Sequence, residues 1–273
     1  MGKELTVINM KIKVIRNFKK DKDSKVTKKL IEILNKRNIE VDVSDENIKS
    51  NTDIVIVLGG DGTILSAACE CAEMGIPVMG INLGRVGFMT ETDQDSMEKA
   101  VDALINGEYK IENRMMMEIF VSSESGERKY TALNDIVVSK PDSQMINVGI
   151  FSDEEKITEY IADGVIIATP TGSTGYSLSA GGPVADPSTE MFLVTPICAH
   201  TLRARPSVLS PEKEVSVKLF EGANPVASVM VDGQLKEKIE EGDNVRIRKS
   251  DKKLKLIKFG KQSFYDILTA KLV

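Results

Sequence analysis

The apolar pattern of this chain changes character near residue 106. Before that point, strand-like and helix-like stretches alternate. Lys11 to Ile15 and Val41 to Val43 read as strands, and Asp53 to Leu58 and Ile76 to Ile81 as buried ones, because apolar, mostly β-branched residues run together there. Val26, Leu30, Ile33 and Leu34 mark one face of a helix. Met97, Val101, Leu104 and Ile105 mark another, closed by Asn106-Gly107. Such a series predicts an α/β domain with a mostly parallel sheet. From Tyr109 to Phe259 the helical stripe almost vanishes. Val215 to Leu219, Val245 to Arg248 and Leu254 to Ile257 alternate instead, and predict a largely β, sandwich-like domain. Ser263 to Leu272 predicts a last helix returning to the first domain. The expected organisation is an α/β domain over 1–106 joined by 262–273, and a β-rich domain over 107–261.

Composition narrows the class. At 273 residues the chain suits two domains, and 41% hydrophobic residues supply a core for each. A net charge of −5 provides no global basic field, so nucleic acid is not an expected partner. The pairs Lys19-Lys20, Lys28-Lys29 and Lys252-Lys253 stand among acids and read as solvated faces. Cys69 and Cys71 lie two apart on a predicted helix, so they do not face each other. With Cys198 and the one histidine, His200, they give no zinc site of ordinary ligand count. Met1 to Leu5 lacks a signal-peptide h-region, and no apolar run approaches the ~20 residues of a membrane span. The expected location is cytoplasmic, without membrane partners.

The candidate chemistry sits at two turns. Gly59-Gly60-Asp61-Gly62-Thr63 follows the buried strand Ile54 to Leu58 and opens a helix at Ile64, the place where α/β sheets bind ligands. Glycines permit a sharp turn and let phosphate oxygens approach the amides, while the helix N-terminus adds partial positive charge. A carboxylate among them would repel phosphate unless a metal ion or a substrate proton gave it a role. Phosphoryl transfer meets that condition. The plain alternative is a tight turn with Asp61 as helix N-cap. The second turn follows Asp163-Gly164 and a buried strand. It runs Thr169-Pro170-Thr171-Gly172-Ser173-Thr174-Gly175-Tyr176-Ser177-Leu178-Ser179-Ala180-Gly181-Gly182, read as a long loop whose hydroxyls and amides could hold phosphates, ribose hydroxyls or an adenine edge.

Together these motifs resemble the NAD kinase family. That family carries a Gly-Gly-Asp-Gly turn, then an Asn-Asp or Asn-Glu pair, an Asp-Gly before a strand, and a Thr-Pro-Thr-Gly-Ser-Thr series. Here Asn134-Asp135, Asp163-Gly164 and later Val231-Asp232-Gly233-Gln234 follow in the same order, from about Asp53 to Gln234. The resemblance implies a kinase that phosphorylates the adenosine ribose 2′-hydroxyl of NAD with ATP or another phosphoryl donor, giving NADP. It implies Asp61 as general base. Gly59, Gly60, Gly62 and Thr63 would meet the donor's phosphates, with Mg²⁺ or another divalent cation carried on them. Asn134 and Asp135 would hold NAD. Thr171, Thr174, Gly175, Tyr176, Ser177, Leu178 and Ser179 would line the same pocket, with Phe88 packed on a flat ring. Asp163 and Gln234 carry over as ligand contacts, and Asp163 would reach a neighbouring subunit, since members are usually homodimers or homotetramers. Gly175 stands where the family commonly has Ala, and Ile161 where many members have a polar residue. Arg85 has no assigned role.

Other chemistries lack their signatures. No G-x-G-x-x-G follows the first strand and no G-x-x-x-x-G-K-[ST] occurs. His200 reads as structural, near the ligand loop. Taken alone, Asn134-Asp135 and Asp232-Gly233 read as turns, and Met115 to Met117 as core packing. Two rivals remain at this stage: a lipid kinase sharing the Gly-Gly-Asp-Gly turn, and a non-catalytic dinucleotide sensor.

Overall fold

In the computed structural model, residues 10–84, 87–201, 204–222, 226–260 and 262–272 are described. The chain divides into two compact units, 1–113 with 254–273, and 114–253.

In the first unit the buried, β-branched runs pair side by side. They form β1 (Lys11–Arg16), β2 (Glu40–Asp42), β3 (Ile54–Gly59) and β4 (Val78–Asn82), all parallel, in the order β4-β3-β1-β2. Two residues, β5 (Thr92–Asp93), extend β4's edge. The crossovers are α1 (Lys25–Asn35), α2 (Asp61–Met74) and α3 (Met97–Ile105). Leu30, Leu34, Val101 and Leu104 pack on Ile12, Ile56, Leu58 and Ile81, the helical stripe meeting the strand face. Gly75 ends α2 with a left-handed φ of 68°, which glycine adopts without a Cβ penalty.

The second unit is antiparallel. One sheet runs in space through β13 (Ser207–Leu209), β12 (Phe192–Ile197), β11 (Gly164–Ala168), β8 (Asp135–Ser139), β15 (Val226–Val231) and β16 (Gln234–Glu240). In the other layer β10 (Glu155–Ala162), β9 (Ile146–Ser152), β14 (Val215–Phe220) and the start of β17 (Asn244–Lys258) pair in turn, and β6 (Lys110–Ser123) pairs with β7 (Gly126–Ala132). One core joins the layers: Met115, Met117, Val148 and Val217 meet Val165, Ile167 and Val229.

Three features depart from the sequence pattern. The unit boundaries fall inside β6 and β17, where strand alternation runs on unbroken and gives no sign of a change. Val245 to Arg248 and Leu254 to Ile257 belong to one strand. Its polar middle stays extended because Ser250 is buried and Lys249 and Lys253 both pair with Glu190, at 3.2 and 2.5 Å. The glycine-rich segment is not an open loop. It holds a 3-10 turn at Thr171–Thr174 and a short helix, α4 (Tyr176–Ser179). The last helix, α5 (Phe264–Leu272), belongs to the first unit. Its start is fixed reciprocally: Ser263 N donates to Asp266 Oδ2 (2.9 Å) and Asp266 N to Ser263 Oγ (3.1 Å). Among the described residues no helix is long and apolar enough to cross a membrane.

Candidate functional site

Because β1, β3 and β4 are parallel neighbours, the segments that follow them emerge at one edge of the first unit's sheet. Asp61 heads α2, but Gly60 holds the N-cap position. The Asp61 side chain turns to the segment after β4 instead, accepting Phe88 N on Oδ2 (2.8 Å) and Met89 N on Oδ1 (3.1 Å). The capping alternative therefore does not describe this residue. Two amides use two of the carboxylate's roughly four lone-pair positions. Its seat is held from behind, since buried Thr90 Oγ1 accepts both Gly87 N (3.0 Å) and Asn82 Nδ2 (3.1 Å). Gly87 gives the carboxylate room: a Cβ there would lie 2.0 Å from Asp61 Oδ1.

The motif glycines act through closeness, not through an unusual backbone. None of Gly59, Gly60 and Gly62 has a left-handed φ. A Cβ on Gly59 would strike Thr63 Oγ1 at 2.2 Å, and that hydroxyl accepts Asn17 Nδ2 (3.3 Å). A Cβ on Gly62 would meet nothing within 4 Å, so packing does not demand glycine there and space remains for a ligand. The space is a cleft of about 610 Å³, bounded by Arg16 to Lys20 on one side and Gly60 to Thr63 with Ser66 on the other. Lys19 and Lys20 are exposed, as a solvated face requires, yet they line this cleft. Lys20 Nζ lies 3.4 Å from the place a Gly60 Cβ would take. Ammonium groups and the N-terminus of α2 both favour phosphate. The Phe88 ring is half-buried and meets Phe264, with centroids 5.7 Å apart. Arg85 lies outside the described residues.

In the second unit, Asp232-Gly233 is the two-residue hairpin turn between β15 and β16. Positive φ at both residues, 48° and 75°, is what such a turn needs. Its carboxylate also does something the turn reading omits. Asp232 Oδ2 accepts Leu133 N (2.9 Å), and Oδ1 accepts Asn134 N (2.8 Å) and Asp135 N (3.2 Å). From the other side Thr169 N donates to Asn134 O (2.9 Å) and Thr169 Oγ1 to Leu133 O (2.5 Å). A Cβ on Gly172 would come 2.1 Å from Asn134 O. The backbone of Leu133 to Asp135 is thus clamped, while Asn134 Oδ1 is buried with no hydrogen-bond partner. A buried acceptor without a donor is costly, and a ligand hydroxyl or amine would satisfy it. A Cβ on Gly175 would lie 3.8 Å from Asp135 Oδ2 and 3.9 Å from Asn134 Nδ2, so the family's common Ala would touch this pair.

Burial, and then the nearby Asp232 carboxylate, push the Asp135 carboxyl up to about 7. Burial also raises Asp232, against the pull of its three amides. Those amides make Asp232 the partner that keeps its charge. An unfolded Asp titrates near ~3.9. The folded protein therefore binds the Asp135 proton more tightly, and stability falls as pH rises from about 4 to about 7, then levels. Asp135→Asn removes that titration. Its melting temperature relative to the parent is expected to climb across the same window, and a difference independent of pH between 5 and 8 would refute this.

The remaining candidates scatter. Tyr176 and Ser179 are exposed on α4, and Leu178 is half-buried. Thr174 Oγ1 donates to Thr171 O (3.4 Å). Ser177 is fully buried and bonded to Thr195 Oγ1 (2.9 Å), which holds α4 down. Gln234 is exposed, and its Oε1 accepts Lys236 Nζ (2.9 Å). Asp163 pairs with Lys140 (2.7 Å) at the Gly164 end of β11, whereas Asp135 faces Ala168 at the other end. His200 is exposed with its amide on Ile161 O (2.9 Å), at the Asp163 end, not beside the ligand loop. Sequence reasoning missed the clamp by Asp232, the cleft lysines, and buried Arg114, whose Nη1 donates to Thr171 Oγ1 (3.4 Å). The position of Lys20 just past the first strand of a βαβ series was the available signal for the cleft.

Known proteins are similar to this chain over most of its length. The family model for the ATP-NAD kinase N-terminal domain matches residues 3–109, and that for the ATP-NAD kinase C-terminal domain matches residues 133–259. The NAD kinase of Thermoanaerobacter sp. (strain X514) is 40% identical over 279 aligned residues, 96% of this chain and 98% of the relative. That of Carboxydothermus hydrogenoformans is 43% identical over 235 residues, 85% of this chain and 82% of the relative. Among solved structures, an NAD kinase from Archaeoglobus fulgidus in complex with ATP has a TM-score of 0.77 at 28% identity, covering 96% of this chain and 98% of that one. A yeast NADH kinase complexed with NADH has a TM-score of 0.85 over 97% of this chain and 87% of that one; at 24% identity the likeness concerns the fold. With both domain models matched in order and relatives this similar over nearly its full length, the chain belongs to the ATP-NAD kinase family.

Proposed function

We propose that this chain transfers the γ-phosphoryl group of ATP, or of another phosphoryl donor, to the adenosine ribose 2′-hydroxyl of NAD, giving NADP. The observation that carries the reading is the Asp61 carboxylate, seated by two backbone amides at the head of α2 beside a cation-lined cleft. Relatives named NAD kinase, about as long as this chain, support it. As the 2′-oxygen attacks the γ-phosphorus, its proton passes to a free lone pair of Asp61, and the bond to the β–γ bridging oxygen breaks to release ADP. Gly60 and Gly62 let the phosphates approach, and Lys20 offsets their charge. Asn134 Oδ1 accepts from NAD, and Asp135 with the hydroxyls of Thr171, Thr174 and Tyr176 would complete its polar contacts. Among the described residues no group of three or more His, Cys, Asp or Glu side chains is placed to hold a metal ion. A Mg²⁺ ion, or another divalent cation, carried on the donor's own phosphates would supply further charge neutralisation. Asp163, paired with Lys140 at the far end of β11, would serve a neighbouring copy in a dimer or tetramer.

Incubation with NAD, ATP and Mg²⁺ is expected to yield NADP, and chelation to stop turnover while the thermal transition persists. A lipid alcohol offered in parallel should stay unmodified. NADPH binding without any turnover would favour the sensor reading, and loss of the thermal transition on chelation would reveal a structural metal.

A further inference from the structure

Three residues, Gly87 to Met89, form the seat of Asp61, and its two sides are anchored differently. Met89 and Gly87 are buried, and Thr90 ties Gly87 to Asn82. Phe88 points elsewhere. Its ring packs on Phe264 of α5, at 5.7 Å and 43°, and Lys271 Nζ of the same helix lies 5.1 Å from its centroid. Phe264 is braced in turn by Tyr265, edge-on at 5.2 Å. The chain leading to α5 is fixed next to the same seat, since Phe259 N donates to Glu91 Oε2 (2.6 Å). So the amide that holds Asp61 Oδ2 belongs to a residue whose side chain is gripped by the far end of the sequence.

We propose that α5 is a positioning element for Asp61, with Phe264 and Lys271 acting through Phe88. This rests on Asp61 as the base. A base shifted by a fraction of an ångström still binds its surroundings but meets the hydroxyl proton badly, and misplacement of about 1 Å can cost ~10²-fold in rate. The loss should therefore appear in kcat and not in affinity. It should also vanish once Asp61 can no longer act.

The test is a double-mutant cycle on the full chain. Phe264→Ala is expected to lower kcat about 10- to 100-fold, with KM for NAD and ATP within about twofold. Hydrogen exchange at the Phe88 amide should quicken while β3 amides stay protected. Phe264→Leu, which keeps apolar bulk, should recover much of the rate, and Lys271→Ala should show a smaller loss in the same direction. Thr269→Ala, exposed on the same helix, should change nothing. In an Asp61→Asn background, Phe264→Ala should cost no further rate. Normal kcat in folded Phe264→Ala, or an equal further loss in the Asp61→Asn background, overturns the proposal. If Phe264→Ala does not fold, Phe264→Leu and Lys271→Ala carry the same cycle. Near-full activity of Asp61→Asn alone instead sinks the base reading, and Phe88 exchange then still reports whether α5 holds the seat.

Discussion

Asp61→Asn is expected to lose turnover by ~10²–10⁴-fold, the usual share of a positioned general base. Shape is nearly kept, but the seat is not neutral to the change. Both oxygens of Asp61 accept backbone amides, from Phe88 and Met89. An Asn can accept only one of them, and its own NH₂ then faces the other donor. A modest fall in melting temperature, on the order of 1–3 kcal/mol of stability, should accompany the kinetic loss. NAD affinity should stay close to the parent's, because the NAD contacts are assigned to Asn134 and Asp135. Single-turnover rates and titration binding on the one variant separate these quantities. Retained turnover would remove Asp61 from the role of base.

Asn134→Ala should weaken NAD binding by roughly 5- to 150-fold, equivalent to ~1–3 kcal/mol for ligand atoms left unpaired. ATP affinity should barely change. The stability signature runs opposite to that of a damaged turn. The backbone around Asn134 is held through its N–H and C=O, by Asp232 and Thr169, and alanine keeps both. The side-chain oxygen that alanine removes is buried without a partner. The free protein should therefore melt at the same temperature as the parent or slightly higher. Equal losses for both ligands together with a lowered melting point would return Asn134 to the scaffold.

Much of this was legible before the structure, and the rest was hidden for physical reasons. Helices α1 and α3 announce themselves because one apolar stripe per helix must face the sheet, and β3 because an unbroken β-branched run suits a strand buried on both faces. The Gly-Gly-Asp-Gly turn is visible for the same reason: strand, turn and helix are local. The partners of Asp61 and Asp232 are not local. Asp61 binds amides 27 and 28 residues away, and Asp232 binds amides 97 to 99 residues away. Every residue but proline carries an amide donor, so no residue type betrays such a bond. Ser177 shows the converse. Its hydroxyl looks like a ligand contact in a polar loop, but α4 turns it inward onto Thr195.

Gly87 carries no reactive atom, yet the carboxylate of Asp61 occupies the volume its side chain would need. The two positions are therefore bound by epistasis. Beside Asp61, even one methyl group at position 87 must evict the carboxylate from its amides. Beside Asp61→Ala, the three closest obstacles are gone, and the same methyl group is expected to cost less. A substitution scan read one position at a time would score residue 87 as essential without saying why. Its intolerance is the steric shadow of the Asp61 carboxylate, and the evolutionary freedom of this turn is set by a group that stands outside it.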